Sequence, residues 1–119
     1  MPKRDRGLDT LLGFDGYMYF RTPDLIVKFK VKRCAVSEFR PHGIRYSLTL
    51  HHRNGQRLIG IDNAHAVPYR GRNVYTQRSK AYDHIHAHSR DKGRPYIYRD
   101  AYELMADFFK AVEDYMERR

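Results

Sequence analysis

The segment DLIVKFKVKR (24–33) alternates with period two. Leu25, Val27, Phe29 and Val31 fall on one side of an extended chain, and Ile26, Lys28, Lys30 and Lys32 on the other. This is the pattern of a strand with one face against a core, bounded in front by Pro23. The segment GIRYSLTLHHRNGQRLIGID (43–62) reads as two further strands joined by Asn54-Gly55, a pair preferred in the two-residue type I′ hairpin turn. That turn sets Leu50 opposite Ile59 and Leu48 opposite Ile61, with Ile44 and Tyr46 in phase on the same face. The other face then holds Ser47 opposite Asp62, Thr49 opposite Gly60 and His51 opposite Leu58. Turn chemistry and apolar pattern give one register.

Elsewhere the pattern is less regular. LLGFDGYMYF (11–20) suits a short element interrupted by Gly13 and Gly16. Residues 63–82 contain no acid; Arg70, Arg72, Arg78 and Lys80 lie among Tyr69, Tyr75 and Tyr82, while Pro68 and Gly71 oppose regular structure, so a long loop is expected. DHIHAH (83–88) resumes as a strand, with Ile85 and Ala87 inward and His84, His86 and His88 outward. After a turn in RDKGRP, Asp100 as N-cap and Glu103 as capping-box partner open a helix over 100–116. Its apolar stripe is Ala101, Met105, Phe108, Val112 and Tyr115, flanked by Leu104 and Phe109. The expected fold is α+β: an antiparallel sheet of about four to five strands with the C-terminal helix packed on one face. A flexible basic tail (1–7) precedes a single domain (8–119). If all strands share one sheet, its second face carries Lys28, Lys30, Lys32, Ser47, Thr49, Asp62 and the histidines.

Composition sharpens the choice of partner. The chain of 119 residues has a net charge of +9, which favours a polyanion, nucleic acid before acidic membrane. The charge is uneven: residues 100–119 hold six acids against three bases, so the body carries a net +12 and the terminal helix −3. Cys34 is the only cysteine, which excludes an internal disulfide and a zinc ribbon; within CAV it reads as a small buried hydrophobe. No stretch is apolar enough to span a bilayer and no apolar run follows the basic start, so the cytoplasm is the expected compartment.

Three histidines at every second position are the main chemical signal. Side chains two apart on a strand share a face, so two of them can ligate one metal with a third ligand such as His65 or Asp62. They can equally serve as general acid and base on a phosphodiester, since imidazole both gives and takes a proton near neutrality. A solvated strand face rich in histidine is the plain alternative. In IDNAH (61–65), Asp62 suits orienting or charge-stabilising a histidine, while Asp62 and Asn63 could also merely cap the strand. The 69–82 loop fits an arm that binds phosphates and stacks bases, or a covering loop. A two-metal nuclease is disfavoured by the lack of an acidic cluster.

The order RLIGIDNAHAVP, basic loop, DHIHAH and C-terminal helix resembles the TumE-like toxins of bacterial toxin–antitoxin pairs. Asp62, Asn63, Ala64 and His65 match the family's first motif; His86 and His88, or His84 and His86, match its His-x-His stretch. The chain departs from the pattern at Ala66, where a second histidine is usual, and in the length of the basic loop. The resemblance implies a growth-inhibiting toxin encoded beside an antitoxin, often a DNA-binding one.

Joined to the residue chemistry, it leads to a cytoplasmic toxin that binds and cleaves RNA without a cofactor. His84, His86 and His88 would supply acid and base, oriented by His65 and Asp62. Lys28, Lys30, Lys32, Arg70, Arg72, Arg78, Lys80 and Tyr75 would hold the RNA. The rivals are a nucleic-acid-binding module without catalysis and a small metalloprotein with its ion on His84, His86 and His88. The expected partners are RNA and the antitoxin, with no membrane; a homodimer stays open.

Overall fold

The computed structural model describes residues 5–38, 40–63, 67–68, 80–81, 83–86 and 93–119. In chain order these form α1 (Leu8–Gly13), β1 (Met18–Thr22), β2 (Leu25–Arg33), β3 (Ile44–His52), β4 (Arg57–Asp62), β5 (Val67–Pro68), β6 (Lys80–Ala81), β7 (His84–His86), β8 (Arg94–Pro95) and α2 (Ala101–Arg118). An antiparallel sheet runs in the order β1-β2-β3-β4-β7-β8. The α+β expectation holds: five strands of three or more residues make the body of the sheet, and the two-residue β8 finishes its edge. The long loop expected over 63–82 starts and ends in a small ladder, Val67 with Ala81 and Pro68 with Lys80.

The alternation in β2 and β3 becomes one apolar face. Leu25, Val27, Phe29, Val31, Ile44, Tyr46, Leu48 and Leu50 are all buried there, with Ile59 and Ile61 of β4 beside them. Helix α2 covers this face with Leu104, Met105, Phe108 and Val112, and α1 adds Leu11. Full burial of side chains this size contributes about 1.5–3 kcal/mol each, so this face anchors the sheet. Phe29 meets Phe108 edge to face, with ring centroids 5.7 Å apart. Asp100 caps α2 by accepting from the Glu103 backbone N–H (2.9 Å). The capping box forms only by half, because Glu103 turns to the backbone N–H and guanidinium of Arg99 instead.

Three local expectations change. From Leu50 to Ser47 the hairpin has the expected register, but His51 faces Arg57 rather than Leu58. No non-glycine residue has positive φ among the described residues, so Asn54 cannot take its place in a type I′ turn. The chain turns instead through a loop one residue longer, closed by His52 N–H on the Gln56 carbonyl, with the Gly55 N–H on the His52 carbonyl and Gly55 left-handed (φ 97°), and Leu58 enters β4 as a bulge that restores the register. Cys34 is exposed, not buried, because β2 ends at Arg33 and the alternation ends with it. Of the expected tail, residues 1–4 lie outside the described residues. Asp5 accepts from the Ala101 backbone N–H (2.6 Å) and the Arg6 carbonyl from Tyr102 (2.7 Å), which ties residues 5 and 6 to the start of α2. No helix among the described residues is long and apolar enough to cross a membrane.

Candidate active site on the polar sheet face

Directly opposed residues on neighbouring strands share a face, so the register alone assembles the second face. One row across four strands reads Lys28, Thr49, Gly60, His86; the next reads Lys30, Ser47, Asp62, His84. Each begins in a lysine and ends in a histidine, roughly 14 Å away at three strand spacings. Asp62 and His86 therefore stand on the same side.

The histidine end of the rows is enclosed. His84 and His86 are 3% and 5% exposed, which rules out the solvated-face reading for these two. The buried Asp62 carboxylate lies between them, Oδ1 at 3.1 Å from His84 Nε2 and Oδ2 at 3.7 Å from His86 Nε2. A carboxylate this deep is tolerable only with hydrogen-bonding and charge partners, and the imidazoles supply them. The two rings meet edge to face at 4.8 Å. Gly93 closes over them: a Cβ there would come within 2.9 Å of His84 Cδ2 and 3.0 Å of His86 Cε1, and the residue's φ of 104° also suits glycine. Of the turn expected in RDKGRP, residues 90–92 lie outside the described residues; Gly93 is what covers the pair.

Arg57 reaches the pair from the other side. Its guanidinium donates to His86 Nδ1 at 3.0 Å. Arginine has only donors, so Nδ1 must accept, and a neutral His86 carries its proton on Nε2, facing Asp62. The side chain crosses the sheet over Gly60, where a Cβ would meet Arg57 Cδ at 3.2 Å. A glycine inside a strand is the sequence mark of such a close approach, and it is the one signal from which Arg57 could have been found.

Arg57 also lines a cleft of about 450 Å³ with Lys28, Lys30, Ser47, Thr49 and His51. Burial holds the His51 imidazole below its ordinary value; the Gly55 carbonyl works against this, and the charges of Lys28, Arg57 and Lys30 reinforce it. His51 Nε2 lies 2.8 Å from the Thr49 hydroxyl. The positive charge of the cleft comes from the two lysines and the arginine.

Other predicted site residues are placed differently. Lys32 stands apart from this cleft in an exposed ion pair with Asp15 (2.5 Å). His65, His88, Arg70, Arg72, Tyr75 and Arg78 lie outside the described residues, as does the side chain of Lys80. Asn63 is structural: its Oδ1 accepts from the Tyr46 backbone N–H (2.9 Å) and its Nδ2 donates to the Ile44 carbonyl (2.8 Å). Among the described residues, the metal-type cluster is Asp62, His84 and His86, whose candidate ligand atoms lie within 4.8 Å of one another.

No curated protein and no solved structure matches the chain. A protein-family model described as Toxin TumE matches residues 23–116, a span that includes β2 to β8 and nearly all of α2.

Proposed function

The chain belongs to the TumE toxin family and is the toxin component of a toxin–antitoxin pair, with a cognate antitoxin as partner; on that premise we propose that it binds RNA and cleaves it by histidine acid–base chemistry. The observation that carries the reading is the Asp62 carboxylate enclosed between His84 and His86, at the end of two rows that begin in lysine. His86 takes the proton of a 2′-hydroxyl and the freed oxygen attacks the adjacent phosphorus. The 5′-oxygen leaves with a proton from His84 in its protonated form, and a 2′,3′-cyclic phosphate remains. Asp62 orients both rings and balances the imidazolium. Lys28, Lys30 and Arg57 hold the strand by its phosphates.

His84→Ala and His86→Ala, with His84→Gln and His86→Gln beside them for packing, should each lower RNA cleavage by about 10²-fold or more and relieve growth inhibition. Circular dichroism should show an unchanged fold. Full activity in both series sinks the proposal, and tight RNA binding without cleavage in the parent protein supports a non-catalytic binding module instead.

A second reading has its own support. One carboxylate and two imidazoles within 4.8 Å form the donor set of a two-histidine, one-carboxylate metal site. Arg57 works against it, because a ligating imidazole normally donates its second nitrogen's proton, whereas His86 Nδ1 accepts. Elemental analysis of untagged protein decides: stoichiometric zinc, nickel or iron favours the metal reading.

A further inference from the structure

Arg57 belongs to two places at once. It lines the cationic cleft, and it hydrogen-bonds the nitrogen of His86 that a base would use. While that bond stands, Nδ1 has its lone pair occupied and Nε2 carries the proton, so His86 offers no free acceptor. A guanidinium prefers an anionic two-oxygen fork to a neutral imidazole nitrogen, and the two non-bridging oxygens of a backbone phosphodiester, which share one negative charge, are such a fork. The cleft has the other groups that a phosphate requires: the ammonium groups of Lys28 and Lys30, and the hydroxyls of Ser47 and Thr49. The bare Gly60 beneath the Arg57 side chain leaves room for it to shift along the strand, since a Cβ would already crowd Cδ at 3.2 Å.

We infer that this cleft seats a backbone phosphate of the RNA, and that the bound phosphate draws Arg57 off His86 Nδ1 and so frees that nitrogen to act as the base. Substrate binding and activation of His86 are then one event, and the buried histidine stays capped until a phosphodiester arrives. The inference rests on the reading of this face as an RNA site and adds to it a subsite and a gate. It assigns functions to Ser47 and Thr49, adds a gating role to Arg57, and makes Gly60 a positioning residue.

The test uses a 2′-O-methyl trinucleotide, which lacks the attacking hydroxyl and stays intact, with inorganic phosphate as comparison ligand. Binding is followed by titration calorimetry and by NMR of the histidine ring nitrogens in the full chain. The trinucleotide should bind about tenfold or more tighter than phosphate. Lys28→Ala combined with Lys30→Ala, both at exposed or half-buried positions, should weaken it about tenfold or more, the loss expected for two charge-assisted hydrogen bonds. On binding, the His86 Nδ1 resonance should move as its Arg57 partner leaves. In Arg57→Ala the free protein should already show the shifted resonance, with little change on adding ligand. Binding unaffected by the lysine changes, phosphate binding as tight as the trinucleotide, or an unmoved His86 signal at saturation overturns the inference. Cleavage of unmodified RNA is scored separately: cleavage without cleft binding sinks the inference alone, and cleft binding without cleavage sinks the ribonuclease reading alone.

Discussion

Asp83, one residue before the histidine strand, has its carboxyl pushed up from an ordinary 3.8 to about 6. Burial is the main cause; the neighbouring His42, hydrogen bonds from Tyr46 and Asn63, and His84 oppose it. An acid raised in this way binds its proton more tightly folded than unfolded. It therefore contributes stability that is complete below about 3.8 and lost as pH rises through about 6. Asp83→Asn should remove this slope and stabilise the protein at about pH 7 by on the order of 2 kcal/mol, a value discounted for the group's partial exposure. Urea unfolding at about pH 4 and pH 7 measures it; equal midpoint shifts at both would contradict the assignment. The neighbouring Asp62 differs in kind. Its oxygens lie 3.1 and 3.7 Å from two imidazole partners, whereas Asp83 is a carboxyl that the fold accommodates at a cost.

The β3–β4 hairpin is the element that carries the site, and Asn63 is what closes it. Past the last strand pair, its side chain continues the ladder by taking the Tyr46 N–H and supplying the Ile44 carbonyl, while its own carbonyl accepts from Arg40 (2.9 Å). Asn63→Ala would leave both buried backbone groups unpaired and should cost about 3 kcal/mol of stability. A denaturant midpoint near that of the parent protein would show that water replaces the amide. Sequence periodicity reached the face of every residue from Ser47 to Leu50 and of Ile59 to Asp62, because a one-residue slip would have put the leucines in water. It also reached Asp62 with His84 and His86, since period two put the histidines on one face. It did not reach the turn, where Asn54 declines positive φ, nor the bulge at Leu58 that corrects for it. Arg57 and Gly93 escaped for another reason: both act through the approach of segments distant in sequence, and local pattern has no term for that. Asn63 was legible only as one of two alternatives, and packing decided for the strand cap.

At the scale of the molecule the sheet separates two charges. Helix α2, with the net −3 of residues 100–119, covers the apolar face, and the lysine rows occupy the opposite one. A polyanion is thus repelled by one side and attracted by the other, which orients its approach before any specific contact forms. If RNA binds the lysine face, each phosphate neutralised there releases condensed counterions, and log K falls linearly with log salt by about 0.7 per contact for a single strand. Lys28→Ala and Lys30→Ala should then each reduce the slope by about 0.7, with the loss greatest at low salt. Lys110→Ala, which removes an equal charge from α2 where Lys110 pairs with Asp114 (2.9 Å), should leave the slope unchanged. Fluorescence anisotropy of a labelled RNA across a salt series reads all three. Equal slope changes for Lys110 and Lys28 would mean that net charge alone governs binding and that the lysine rows have no privileged role. Unequal changes in the expected direction would place the strand across the face on which Arg57 caps His86.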